Sequence, residues 1–100
     1  MIVVAGTVVI DADRHEAMVD AANLVSAATR QEDGCLSYEF FADLTDRSRF
    51  HVFEEWESLE ALEAHLRTDH IRTFGASLRE CGIKGSEIYR YAATGKTAVS

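Results

Sequence analysis

Cysteine is scarce. Cys35 and Cys81 stand far apart and form no Cys-x-x-Cys pair, so two reduced thiols of a cytosolic domain are expected rather than a bridge or a thiolate metal knot. No apolar run approaches the roughly 20 residues needed to cross a bilayer, so no membrane partner is expected. Met1 to Ile10 lacks a basic leader, and Asp11 and Asp13 follow at once, which argues against a secretory signal and for a cytoplasmic location. Positive charge is in short supply: 10 Lys and Arg face 17 Asp and Glu, a net charge of −7. That balance argues against nucleic acid or an anionic lipid surface as a partner. Gly6, Gly34, Gly75, Gly82, Gly85 and Gly95 are isolated, so no phosphate-cradling loop is expected. Nor is a Ser/His/Asp or Cys/His set visible, and Cys35 at a strand start reads as buried rather than nucleophilic.

What is present describes an ordinary globular chain. The apolar fraction is 47%, and 27% of the residues are charged, within the range of one packed domain. We expect that domain over residues 1–94, with a polar tail over 95–100.

The pattern predicts six main elements. Ile2 to Ile10 is rich in β-branched residues and reads as a strand. Asp13 and Glu16 have the spacing of a capping box, after which Ala17, Ala21, Leu24, Val25 and Ala28 recur at helical spacing until Gly34. Cys35 to Asp43 and Arg49 to Trp56 read as strands joined by a short polar turn. Ser58 caps a second helix carrying Leu59, Leu62 and Leu66. Thr68 or Asp69 restarts it through Ile71, Phe74 and Leu78 to Gly82. Ile83 to Ala93 is a final strand. The order is βαββαβ, which predicts an α+β fold of ferredoxin-like topology: an antiparallel four-stranded sheet with its helices on one face.

A sheet covered on one face should turn polar on the other. Here Val3, Ala5 and Val9 oppose Ile2, Val4, Val8 and Ile10, while Phe41 opposes Leu36, Tyr38 and Phe40. Phe53 opposes Phe50, Val52 and Trp56 in the same way. An apolar patch of that extent predicts a homodimer.

Several residues could carry chemistry. Glu54 shares a face with Phe50, Val52 and Trp56, and a carboxylate among apolar neighbours holds its proton more tightly. His65 follows on the next helix and is the expected partner of Glu54. The pair could act as a base with its orienting carboxylate, or simply fasten the helix to the sheet. Tyr38 and Trp56 share that face and could stack on a flat substrate or fill the core. His70 and Phe74 follow as further lining candidates, with a surface place for His70 and plain packing for Phe74 as alternatives. The five-residue spacing of His65 and His70 is not that of a helical metal pair, and no metal is expected. Tyr89 and Tyr91 share one face of the last strand and could line a pocket or a dimer seam. His15 and His51 carry no functional expectation, and the Glu-rich run from Glu54 to Glu63 reads as a solvated helix face.

Gly34-Cys35-Leu36-Ser37-Tyr38-Glu39, then Glu54-Glu55-Trp56, then Ala61-Leu62 followed by His65, Thr68 and His70 give G-C-L-x-Y-E, E-x-W and A-L-x-x-H-x-x-T-x-H. In this order and spacing the chain resembles the antibiotic biosynthesis monooxygenase family, in its quinol monooxygenase group. The resemblance implies a dimeric α/β barrel with one pocket per subunit between sheet and helices. It further implies oxygenation of a small quinol or polyphenol-type aromatic without metal, flavin or other cofactor. His65 would take a phenolic proton, Glu54 would orient it, and Tyr38, Trp56, His70 and Phe74 would meet the substrate. Haem-degrading relatives carry an asparagine on the first strand, where this chain has only Gly6 and Thr7 as non-apolar choices; haem is therefore not the expected substrate. The superfamily also implies two alternatives: an isomerase of a small polar carbonyl signal molecule, and a non-catalytic ligand-binding or stress module.

Overall fold

A computed structural model describes residues 1–100. The elements run β1 (Ile2–Val9), a 3-10 turn (Ala12–Arg14), α1 (His15–Thr29), β2 (Cys35–Ala42), β3 (Arg49–Trp56), α2 (Leu59–His65), α3 (Asp69–Glu80) and β4 (Gly85–Ala92). The sheet order is β2-β3-β1-β4, and every neighbouring pair is antiparallel. This is the expected ferredoxin-like arrangement. No helix is long and apolar enough to cross a membrane.

Period-two alternation decides which residues meet the helices. Val4 and Val8 of β1, Phe50 and Trp56 of β3 and Tyr38 of β2 are buried against Met18, Val25, Leu62 and Phe74. The opposite face carries no helix, and on it Phe41, Phe53 and Tyr91 remain largely exposed. Ser58 accepts from the Ala61 N–H and Thr68 from the Ile71 N–H, so α2 and α3 begin where their capping hydroxyls predict. Gly6 pairs with Ile88 where the backbone of β4 runs tight against β1. A Cβ there would stand 2.0 Å from the Glu87 carbonyl oxygen, so no side chain fits.

Four local expectations are corrected. The capping box of Asp13 and Glu16 does not form. Asp11 accepts from the Asp13 N–H and opens the 3-10 turn, Arg14 precedes α1 without a side-chain cap, and Glu16 binds Arg47. Helix α1 ends at Thr29, so Gly34 leads into β2 rather than closing the helix. Cys35 and Ser37 pair with Trp56 and Glu55, leaving Leu36 in a bulge; Leu36 therefore leaves the Tyr38 face and is half exposed. Glu54 and Glu55 are buried, not part of a solvated run. Glu55 receives the Ser37 hydroxyl at 2.8 Å and Lys96 at 3.2 Å, which draws the C-terminal tail back onto the open face. Cys35 and Cys81 are free thiols.

Candidate active site

Between the covered face of the sheet and helices α2 and α3 lies a cavity of about 460 Å³. Val4, Val8 and Val52 form its floor, and Leu62, Ile71 and Phe74 its roof. Strand β4, exposed along its whole length, borders the mouth. Most of the lining is apolar; the polar groups include Tyr38, Glu54, His65, Ser86 and Arg90. Few polar groups converging in an apolar hollow is the usual character of a small-molecule site.

His65 closes α2 and is 2% exposed. Its Nδ1 donates to Oε2 of Glu32 at 2.7 Å. A carboxylate oxygen can only accept, so Nδ1 carries the proton and Nε2 keeps its lone pair. Nε2 has no partner in the chain, and the ring borders the cavity. Burial lowers the His65 pKa, while the Glu32 hydrogen bond and charge oppose that shift. The ring is held by Trp56 and Tyr38, whose centroids lie 4.7 and 5.4 Å away.

Glu54 accepts from the Trp56 indole N–H at 2.8 Å. Burial pushes its carboxyl up from 4.5 to about 7, with the Trp56 bond opposing and the Glu32 charge assisting. Both protonation states are therefore populated near neutral pH. Tyr38 is 3% exposed; burial first, then the charges of Glu54 and Glu32, hold its hydroxyl proton well above the ordinary range. It is a hydrogen-bond donor, not a base.

Tyr38, Glu54, His65 and Phe74 border one cavity. Trp56 does not. It is fully buried behind the wall, where it supports His65 and Glu54. His70 is also outside the cavity, beside α1 and α3, and its Nε2 donates to the same Glu32 Oε2 at 2.7 Å. The expected Glu54–His65 contact is absent: the indole two residues along the strand takes Glu54, and the α1–β2 loop supplies Glu32 to the histidine. Sequence reasoning missed Glu32 because a loop carboxylate has no periodicity; its place directly ahead of the Gly34–Glu39 motif was the one available signal. It also missed Ser86 and Arg90, although alternation along β4 sets them on one face with Ile88. Tyr91 lies on the open face opposite Val3, and Tyr89 touches the cavity rim from the edge strand.

Comparison with known proteins converges on one group. The sequence profile described as antibiotic biosynthesis monooxygenase matches residues 1–77. The uncharacterized Synechocystis protein sll1783 is 33% identical over 90% of this chain, which spans 61% of that protein. YcnE of Bacillus subtilis, named as a candidate monooxygenase, is 25% identical over 80% of this chain and 84% of its own length. Among solved structures, a Deinococcus radiodurans protein described as a candidate antibiotic biosynthesis monooxygenase superposes with a TM-score of 0.93 at 27% identity. That match covers 100% of this chain and 99% of the other.

Proposed function

Because the chain belongs to the antibiotic biosynthesis monooxygenase family, we propose that it oxygenates a small quinol or related hydroxyaromatic with dioxygen, using no bound cofactor. The observation that carries this reading is a buried imidazole with a free Nε2 and a carboxyl titrating near neutrality on one apolar cavity.

The substrate hydroxyl gives its proton to His65 Nε2. Glu32, accepting at Nδ1, stabilises the imidazolium that forms. The electron-rich anion passes one electron to dioxygen, and the two radicals join to form a carbon–oxygen bond at a ring carbon. The peroxide takes up a proton, and then its O–O bond breaks. The distal oxygen leaves as water with a proton from Glu54, while the ring carbon loses its hydrogen as a proton and keeps the other oxygen as a carbonyl. The sum is quinol plus dioxygen to hydroxyquinone plus water. All four electrons come from the substrate, so no external reductant is needed. Tyr38 borders the cavity while its hydroxyl lies beside Thr29, so its ring rather than its hydroxyl meets the substrate, and Phe74 packs on the substrate ring.

The apolar open face supports a homodimer, with a second copy covering Phe41, Phe53 and Tyr91. This assembly is part of the proposal.

Oxygen uptake by chelator-treated protein across a panel of quinols tests the reading. We expect uptake above buffer autoxidation, with His65→Ala at least tenfold slower. No uptake across the panel overturns it. Deuterium exchange into a small carbonyl compound without oxygen consumption would replace it with the isomerase, for which the same two proton-carrying groups are suited.

A further inference from the structure

We propose that Glu32, His65 and His70 form a binding site for a divalent transition-metal ion of the zinc class, adjoining the substrate cavity and sharing His65 with it. The three residues come from separate segments: the α1–β2 loop, the end of α2 and the first turn of α3. Each offers one donor atom, and these atoms lie within 4.8 Å of one another. Two imidazoles and one carboxylate are the ligands that borderline ions such as Zn²⁺, Co²⁺ and Ni²⁺ accept.

The geometry needs little adjustment. Both histidine nitrogens stand 2.7 Å from the same Glu32 oxygen, whereas ligand atoms of a tetrahedral zinc stand about 3.4 Å apart, given bonds of about 2.1 Å. Rotations of the carboxylate and of His70, both of which reach solvent, would have to supply that difference. The other oxygen, Oε1, has no partner in the chain and is free to take part. The ion has a way in, because the His70 side chain is 27% exposed and Glu32 15%. Three protein ligands leave the fourth position to water.

Occupation has a consequence that rests on the proposed oxygenase reading. A metal on Nδ1 of His65 displaces the proton there, and the neutral ring carries its proton at Nε2 instead. The nitrogen facing the cavity then donates rather than accepts, so the metal-bound chain loses its base. The ion acts as an inhibitor, not a cofactor.

Trp56 supplies a readout independent of turnover. It is the only tryptophan, and its ring lies 4.7 Å from that of His65. Titrating the metal-free full chain with Co²⁺ or Ni²⁺ should quench Trp56 fluorescence saturably at one ion per chain, and Zn²⁺ should compete. Glu32→Gln and His70→Ala should each weaken binding at least tenfold, while His15→Ala and His51→Ala leave it unchanged. Near-UV circular dichroism checks that the variants are folded. The visible spectrum of the Co²⁺ complex adds a test on the unaltered chain, with four-coordinate absorption expected. No saturable quenching, six-coordinate Co²⁺ absorption, or a quench abolished by His15→Ala or His51→Ala overturns the site. Binding by all these criteria with undiminished oxygen uptake overturns the inhibition alone. Binding in a chain with no turnover on any quinol supports the site and counts against the oxygenase.

Discussion

His65 Nδ1 and Glu32 Oε2 stand 2.7 Å apart although 33 residues separate them in the chain. The contact holds the imidazole in the tautomer whose free nitrogen borders the cavity, and supplies the negative charge that an imidazolium needs. Replacing Glu32 with Gln should therefore lower kcat/KM for a quinol about 10- to 100-fold. The acid limb of the pH–rate profile should move to lower pH, because the charge favouring protonated His65 is gone. A change in thermal stability with an unmoved pH profile would assign Glu32 a purely structural role.

Glu54 makes stability depend on pH in a defined direction. Its carboxyl holds a proton up to about 7 in the fold, against an ordinary 4.5. The folded state thus binds more protons in that interval. The contribution is fully present below pH 4.5 and is lost as pH rises through 7. Its size is on the order of 3 kcal/mol. His65 works in the opposite sense, since its lowered pKa costs stability as pH falls, so the informative quantity is a difference. Urea unfolding from pH 4.5 to 8 should show Glu54→Gln gaining on the parent chain as pH rises. A pH-independent difference would mean that Glu54 titrates as an ordinary carboxyl.

Gly6→Ala should be among the most damaging single-methyl changes in the chain. The added carbon meets the Glu87 carbonyl oxygen at 2.0 Å and the Ile88 Cα at 2.5 Å, and neither backbone atom can move without breaking the β1–β4 ladder. We expect a loss of about 3 kcal/mol or more, with faster amide exchange along β4. A cost below about 1 kcal/mol would contradict the close approach.

The open face offers a test of the dimer. Phe53 is 42% exposed on β3, between β1 and β2, and Phe53→Glu would set a charge within the proposed seam. Light scattering at micromolar concentration should give twice 11.1 kDa for the parent chain and the single mass for the variant. A monomeric parent chain would refute the assembly.

Element order was readable from residues close in sequence because the forces that set it are local. The β-branched residues of Ile2 to Ile10 marked β1, the Ser58 hydroxyl marked the start of α2, Thr68 or Asp69 marked that of α3, and the short polar turn required β2 and β3 to pair. Period-two alternation placed Tyr38, Glu54 and Trp56 on one face. Errors arose where a single residue changes the count or the cap: Leu36, dropped from the ladder by a bulge, and Asp11, which displaces Asp13 by opening a 3-10 turn.

The composition and periodicity of this chain therefore determined its topology, its two-faced sheet, and the presence of His65 and Glu54 near one another. Only the tertiary structure decided their partners. A hydrogen bond depends on tenths of an ångström and on which donor or acceptor the packed fold brings within reach. Trp56 reaches Glu54 from two residues away, and the α1–β2 loop brings Glu32 to His65 and His70. No sequence period encodes where a loop carboxylate comes to rest; that follows from the packing of three elements around it.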